Sequence, residues 1–112
     1  MRYLITRLDG RHSWREDFEH MLEFSSAGWS GTGVLEFDRA RRWMHDTWGY
    51  SQEVHVRQRI QQQPNLQARQ LEFATVEVNP HWSYSVEYKN YRIYLKGNQE
   101  LSWFQLAHTQ TE

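Results

Sequence analysis

The clearest alternation in the chain is Trp82-Ser83-Tyr84-Ser85-Val86-Glu87-Tyr88, in which large apolar side chains recur at every second position. A period of two is typical of a β-strand with one buried face. A two-residue turn at Lys89-Asn90 would set one register between this strand and the next. The pairs in that register are Tyr88 with Tyr91, Val86 with Ile93 and Tyr84 with Leu95 on one face, and Glu87 with Arg92 on the other. Because one register satisfies both faces, the sequence predicts a β-hairpin.

A second turn at Gly97-Asn98 predicts that residues 100–107 form another strand of the same meander. The side that Trp103 faces depends on the length of this turn, since a shift of one residue moves every side chain to the opposite face. A three-residue turn buries Trp103 in the core, whereas a two-residue turn leaves it exposed beside Tyr94 and Arg92. We expect the buried arrangement, because it pairs apolar residues with one another.

Two helices are predicted from caps and helical periodicity. The first begins at Ser13, which is spaced to form a capping box with Glu16, and ends at Gly28. The second begins at Asp38, a favourable N-cap, and ends before Gly49 at the position where a left-handed glycine usually closes a helix. In both segments the apolar side chains fall on one side of the helix, as expected for packing on a sheet.

The other elements are predicted from shorter signals. Residues 1–8 and 71–78 are interpreted as strands, and Pro64-Asn65 as a break between elements. Residues 51–63 combine strand-like alternation with good helix formers, so both interpretations stay open, and we favour an extended segment. Together these elements predict an α+β fold, a mainly antiparallel sheet of four or five strands with two helices packed on one face.

Length and composition favour one small core. The chain has 112 residues, which is enough for a single domain over residues 1–112. Six Trp, six Tyr and five Phe can fill that core without disulfides, and the absence of cysteine fits a reducing compartment. These rings are also many for one small core to enclose, which predicts self-association as a homodimer.

The charge and hydropathy patterns exclude several classes of protein. No stretch approaches the roughly 20 apolar residues that cross a bilayer, and the start of the chain lacks the apolar core of a signal peptide. We therefore expect a cytoplasmic protein without a membrane partner. The net charge of −1 and the pI near 6.6 do not favour a dedicated duplex-DNA binder, although a local basic patch is compatible with that total.

No catalytic or metal-binding motif is present in the sequence. The six histidines are scattered and lack the spacing of a zinc site, so no metal is expected and a chelator should leave stability unchanged. There is no cysteine nucleophile, no Gly-x-Ser-x-Gly motif and no Walker A lysine. These absences favour a protein that is not an enzyme and that uses no cofactor.

Arginines are concentrated after Asp38, at positions Arg39, Arg41 and Arg42. In the first turns of the predicted second helix these cations would oppose the helix dipole, and a bound anion would relieve that cost. Planar guanidinium groups suit a phosphate or a partner's carboxylate. The simpler interpretation is a solvated helix face, with Arg42 paired to Asp46 one turn later.

The aromatic meander is the second candidate surface. Its aromatic and basic residues resemble in composition the sheets that stack single-stranded nucleic acid, although no RNP-type motif is present; they are Tyr84, Tyr88, Tyr91, Tyr94 and Trp103, with Arg92 and Lys96. The alternative is that the same rings form the core beneath the helices. By elimination we expect a non-catalytic binding or regulatory module that acts through protein contacts, such as a bacterial or phage accessory protein. The alternative functions are a single-stranded nucleic-acid binder and, third, an enzyme with an unrecognised site.

Overall fold

The computed structural model of the protein describes residues 3–8, 18–24, 32–76, 79–87 and 90–108. Within these residues four strands form one sheet; they are β1 (Leu4–Arg7), β2 (His20–Phe24), β3 (Trp82–Ser85) and β4 (Tyr91–Leu95). Their order in the sheet is β1-β2-β4-β3, and every neighbouring pair is antiparallel. The predicted antiparallel sheet is therefore confirmed, with β2 and β4 at its centre.

Four helices accompany the sheet in the part of the chain that the structure describes. They are α1 (Thr32–Trp48), α2 (Val54–Gln61), α3 (Leu66–Thr75) and α4 (Asn98–Ala107). Side chains of α1 and α4 pack on one face of the sheet, which confirms the predicted α+β class with two helices on a common face. The second of these two helices is α4, however, and not the predicted helix at residues 13–28. None of the helices in the described part of the chain is long and apolar enough to cross a membrane.

The predicted first helix is wrong over the residues that can be compared. Residues 20–24 form the central strand β2, whereas Ser13, Glu16 and Gly28 lie outside the described residues. Leu22 points to one face of the sheet, opposite Ile93, and Met21 to the other, opposite Tyr94. A strand that is buried on both faces has apolar residues in succession, and here their spacing also matched a helix.

The second helix was predicted correctly at its end and wrongly at its start. Gly49, with φ of 94°, closes α1 after Trp48, as expected for a left-handed glycine. The helix begins at Thr32, so Asp38 lies inside it and not at its N-terminus. The earlier start brings Phe37 onto the sheet, where its ring packs against those of Phe24 and Tyr91.

The β3–β4 hairpin is confirmed, but its register is displaced by two residues. Tyr84 pairs with Ile93, and not with Leu95. β3 ends at Ser85 and β4 begins at Tyr91, which leaves more than two residues between the strands, and the backbone N–H of Asn90 donates to the carbonyl oxygen of Glu87. Tyr88 and Lys89, which belong to the predicted pairing and turn, lie outside the described residues. A displacement of two residues preserves the face of each side chain, so Tyr84 and Ile93 still share the apolar face.

Three further segments are helical where strands or extended chain were expected. Residues 100–107 belong to α4, in which the backbone N–H of Gly97 donates to Glu100 Oε1 at 3.1 Å. Residues 71–75 belong to α3, which is capped by the Asn65 side chain. Residues 54–61 form α2, the alternative left open in the sequence. The predicted break at Pro64-Asn65 does separate α2 from α3. Capping contacts and packing thus outweighed the short-range alternation.

The two faces of the sheet have different cores. We call the face that packs against α1 and α4 the helix-covered face. On it, the strand residues Leu22, Ile93 and Leu95 pack with residues of these two helices. On the opposite face a smaller cluster joins the sheet to α2; its buried members are Phe18, Met21, Val54 and Tyr94.

Candidate functional site

A cleft of about 290 Å³ opens between α1, the segment that follows it and the edge strand β3. We call it the arginine cleft; it is lined by Arg41, Arg42, His45, Tyr50, Ser51, Trp82 and Tyr84. His45 follows Arg41 by four positions and Arg42 by three, so its side chain lies beside both on the surface of α1. The cleft therefore combines cationic, hydroxyl and aromatic side chains from three parts of the chain.

Hydrogen bonds to the backbone hold the wall of the cleft in place. Trp82 Nε1 donates to the carbonyl oxygen of Gly49 at 2.8 Å, and Ser51 Oγ donates to the carbonyl oxygen of Trp82 at 2.6 Å. Two residues after Ser51, Glu53 forms a parallel bridge to Tyr84. The segment after α1 is thus fixed along the edge of β3, and the cleft is a built feature of the fold.

Arg41 stands at the centre of the site. Its Nη2 lies 2.9 Å from Asp38 Oδ1, and its guanidinium carbon lies 5.5 Å from the centroid of the Tyr84 ring. The hydrogen bond with Asp38 raises the pKa of Arg41, a hydrogen bond with Tyr84 raises it further, and burial acts in the opposite direction. The guanidinium is therefore held as a fixed cation against an aromatic ring.

The charge of the cleft is only partly neutralised. Asp38 is shared between Arg41 and Arg42, since its Oδ2 lies 3.0 Å from Arg42 Nη2. The side chain of Arg42 is nevertheless 77% exposed. His45 lies at the same side, with Nδ1 at 3.4 Å from Asp46 Oδ1 and its ring against Tyr50. No carboxylate is among the residues that line the cleft, so its chemistry suits an anionic group.

A second cavity adjoins the arginine cleft. This apolar groove, of about 380 Å³, is lined by Val34, Leu35, Phe37, Asp38, Arg41, Glu53, Tyr84, Val86 and Tyr91. Arg41 and Tyr84 line both cavities and form the ridge between them. Leu35 is 68% exposed at the rim of the groove, and Val34 and Val86 are also exposed. An exposed apolar surface beside cations is typical of a binding site.

The predicted arginine site is brought together in part. Arg41 and Arg42 share the arginine cleft, whereas Arg39 lines a neighbouring depression with Leu35, Asp38 and Arg42. None of the three lies in the first turn of a helix, because α1 begins at Thr32. The proposed contribution of the helix N-terminus is therefore wrong. Arg42 pairs with Asp38 one turn before it, and the ion pairs among the described residues do not join it to Asp46.

The predicted aromatic patch is brought together only in part, because Arg92 and Tyr94 share one face of β4 and a hydrogen bond, whereas Trp103 lies on α4. Tyr94 is 1% exposed on the opposite face of the sheet, and burial raises the pKa of its hydroxyl. Arg92 lies on the same face, with Nε 3.9 Å from Glu23 Oε1. Trp103 belongs to α4, and its side chain is 53% exposed. The centroid of its ring lies 6.3 Å from that of Trp48. The prediction that Trp103 is a core residue was wrong, because its segment is a helix and only one side of that helix faces the sheet.

Three residues of the arginine cleft, His45, Tyr50 and Ser51, are not among the predicted site residues. His45 follows Arg41 and Arg42 by one helical turn, so the spacing within α1 could have identified it. Tyr50 and Ser51 reach the cleft only because the chain folds back along β3 after Gly49, and no local pattern predicts that path.

Other polar clusters serve the fold. Glu100, buried at the start of α4, lies 2.8 Å from His81 Nδ1, and the His81 ring packs on Trp48. This contact connects α4 to the residue that precedes β3. Within the described residues, no group of three or more His, Asp or Glu side chains is placed to hold a metal ion.

The arginine cleft and the apolar groove together form the candidate site. Comparison of the chain with protein-family models, curated protein sequences and solved structures finds no match. Function is therefore inferred from the geometry and charge of the two cavities.

Proposed function

We propose that the protein is a small, non-catalytic binding module that acts through contact with a partner protein, and that the apolar groove and the arginine cleft form the contact surface. The observation that carries the proposal is the exposed position of Val34, Leu35 and Val86 beside two incompletely neutralised arginines. Water contact with these apolar side chains is unfavourable, and a partner that covers them gains that free energy. Aromatic residues and arginine are also enriched at the centres of protein interfaces.

The polar groups of the cleft support binding over catalysis. Ser51 Oγ is engaged by a backbone carbonyl, and His45 lies against Asp46 and Tyr50. A nucleophilic mechanism needs a hydroxyl or thiol hydrogen-bonded to a base. Among the hydrogen bonds of the described residues, no serine or threonine is joined in this way to a histidine of the cleft.

The nucleic-acid alternative has weaker support. Stacking on the sheet would require exposed rings on one open face, yet Tyr94 is buried against Phe18 and Trp103 lies on a helix. The apolar groove also contains the carboxylates of Asp38 and Glu53, which would repel a polyanion.

A second copy of the chain is one candidate partner, as the aromatic content predicts. Leu66, Leu71 and Leu106 are exposed outside the groove, and α3 buries none of its residues, which supports self-association. Sedimentation equilibrium at tens of micromolar tests this, and a monomer there would contradict the homodimer. The cysteine-free chain also supports a cytoplasmic location.

Site-specific photocrosslinking tests the binding surface. A benzophenone amino acid replaces Leu35 in one protein and exposed Gln67, on α3, in a control, and each is irradiated in the cells that produce the protein. We expect a discrete protein adduct from position 35 and none of that mass from position 67. The absence of a discrete adduct at position 35, or an equal adduct at both positions, would refute the proposed surface. Adducts to nucleic acid alone would favour the alternative function.

A matched pair of substitutions supplies a second control. Leu35 and Leu71 are 68% and 67% exposed, and both lie on helices. Leu35→Asp should abolish co-purification of the crosslinked partner, because a carboxylate at the rim must be desolvated on binding. Leu71→Asp introduces the same charge at a residue that does not line the groove and should leave co-purification intact.

A further inference from the structure

We propose that the arginine cleft is an oxyanion site that receives an acidic side chain of the partner, while an adjacent apolar side chain of the same peptide segment occupies the apolar groove. The inference rests on the proposed function and specifies the chemistry of the partner. The inference is based on two neighbouring cavities that share Arg41 and Tyr84, one with cationic side chains and one with mainly apolar side chains.

The arginines of the cleft carry more hydrogen-bond donors than the neighbouring carboxylates accept. Arg41 and Arg42 each place one Nη2 on Asp38, and a guanidinium carries five N–H donors. Arg41 Nε is buried and makes no hydrogen bond to any described residue. Asp46, the next carboxylate, is 80% exposed and lies beside His45. An oxyanion bound between the two arginines would therefore complete their charge-assisted hydrogen bonds.

The size of the cleft limits its ligand. Its volume of about 290 Å³ lies at the lower end of the range of about 300–1,000 Å³ for small-molecule pockets, so it suits one side chain and not a large ligand. The ring of Trp82 is 1% exposed, whereas that of Tyr50 is 65% exposed, so the burial of Trp82 does not limit the ligand. The small volume of the cleft favours a carboxylate, or a phosphate ester of a side chain, over a nucleotide.

The relation between the cavities defines the segment that binds. Because Arg41 and Tyr84 separate the cleft from the groove, a ligand that fills both must carry its anionic and its apolar groups on either side of that ridge. Neighbouring side chains of a peptide meet this requirement. Asp38 and Glu53 in the groove disfavour a second anion there, which sets the polarity of the segment: acidic in the cleft and apolar in the groove.

Nuclear magnetic resonance titration of the full ¹⁵N-labelled chain tests the inference without the natural partner. The probes are capped tetrapeptides with a central glutamate–leucine pair, the same peptide with glutamine or phosphoserine in place of glutamate, and inorganic phosphate alone. We expect the acidic peptides to shift amide signals of Arg41, Arg42, Tyr50 and Ser51, and to bind at least tenfold more tightly than the glutamine peptide. Preference for the phosphoserine peptide over the glutamate peptide would identify phosphate as the bound group.

Substitutions locate the interaction. The Arg41→Gln/Arg42→Gln protein should lose the discrimination between glutamate and glutamine peptides. The single variant Arg42→Gln, which keeps the contact of Arg41 with Asp38, should lose part of it. Arg59→Gln is the control, because Arg59 is exposed on α2, outside both cavities. A dispersed spectrum of each variant shows that the fold is retained.

Two results of the peptide titrations would by themselves overturn the inference, and two further outcomes are decisive. One is equal affinity for the glutamate and glutamine peptides, and the other is full discrimination in the Arg41→Gln/Arg42→Gln protein. Signal shifts with inorganic phosphate but with neither acidic peptide would also overturn it, and would indicate a site for a free anion. A photocrosslink from position 35 that persists unchanged in the double variant would refute the oxyanion site alone, whereas absence of the crosslink in the otherwise native protein would refute the proposed function.

Discussion

The two faces of the sheet are covered by different kinds of side chain. On the helix-covered face, Leu22 and Ile93 are fully buried beneath α1 and α4, and rings from both helices pack against the strands. On the opposite face the cluster around Tyr94 is small, and a charged side chain, Arg57, is buried at its border. The same strands therefore support a continuous apolar core on one side and a mixed contact on the other.

The difference follows from the helices that each face receives. α1 is long and amphipathic, and it places Phe37, Ala40 and Met44 on the sheet. α2 is short and contributes Val54 together with Arg57, whose guanidinium carbon lies 4.9 Å from the centroid of the Phe18 ring. Arg57 also donates to the carbonyl oxygen of Asn79. A buried cation needs such partners, so this face cannot be packed as an apolar layer alone.

The site lies at the border of the well-packed face. Arg41 and Arg42 project from α1, whose other side carries the core residues Ala40 and Met44. A binding residue on a helix that is anchored by a large core is held in a defined position. The face of the sheet with the larger core is therefore the one that positions the candidate site.

The largest effect is expected from Phe104→Ala. The ring is fully buried, and its centroid lies 5.2 Å from that of Tyr3 and 5.7 Å from that of Trp43. Its removal leaves a cavity between α4 and the sheet, and should lower the free energy of unfolding by about 3–5 kcal/mol. Guanidinium denaturation followed by circular dichroism measures the loss. A loss below about 1 kcal/mol would show that α4 is not part of the main core.

A smaller effect is expected from Val54→Ala on the opposite face. Val54 is buried against Phe18 and Tyr94, and the substitution removes two methyl groups. The free energy of unfolding should fall by about 2 kcal/mol, because each buried carbon contributes about 0.8 kcal/mol and the cavity adds to the loss. The same denaturation experiment applies. A loss equal to that of Phe104→Ala would remove the distinction between the two faces.

Trp103→Ala should lower the free energy of unfolding by about 1 kcal/mol or less. The indole is half-exposed on α4 and its ring contact is with Trp48, an edge-on aromatic pair of modest strength. Since Trp103 and Phe104 are consecutive on one helix, the pair of substitutions compares its two sides directly. A loss of 3 kcal/mol or more for Trp103→Ala would instead support the buried position expected from the sequence.

The smallest effect concerns the pH dependence of stability. Burial lowers the pKa of His108 below its ordinary value of 6.5, against a smaller opposing contribution from its hydrogen bond to the Phe104 carbonyl. The unfolded chain therefore binds a proton more readily than the folded protein, and stability is lost as the pH falls through about 6.5 towards the lowered value.

His108→Gln removes this contribution. The free energy of unfolding should then decrease less between about pH 7.5 and 5.5 than it does in the unsubstituted protein. Denaturation curves at several pH values measure the difference between the two proteins, in which contributions from the other histidines cancel. The same pH dependence in both would show that the burial of His108 does not favour the neutral imidazole.

Local signals accounted for part of the fold. The alternation around Tyr84 correctly identified a strand and its apolar face, and Gly49 correctly marked the end of α1. Pro64 and Asn65 correctly marked a break. Each of these signals acts through the conformational preference of a few neighbouring residues. It can therefore be recognised in the sequence without knowing the tertiary contacts.

The candidate site was predictable only in its charge. Arg41 and Arg42 were identified as a possible anion site, but the reason given, a helix N-terminus, does not hold, because α1 starts at Thr32. The observed reason is the cleft formed with β3. Tyr50 and Ser51 enter it through hydrogen bonds to residues about thirty positions later, which no local pattern encodes.

What the sequence by itself determined is therefore the α+β class, the β3–β4 hairpin and the end of α1, because turn residues and strict alternation act over short distances. Only the tertiary structure decided that residues 20–24 form the central strand and that residues 98–107 form a helix. A strand buried on both faces lacks alternation, and α4 is set by a capping contact and the burial of Phe104. Burial between distant segments outweighed local preference at these positions, and the same long-range packing created the arginine cleft.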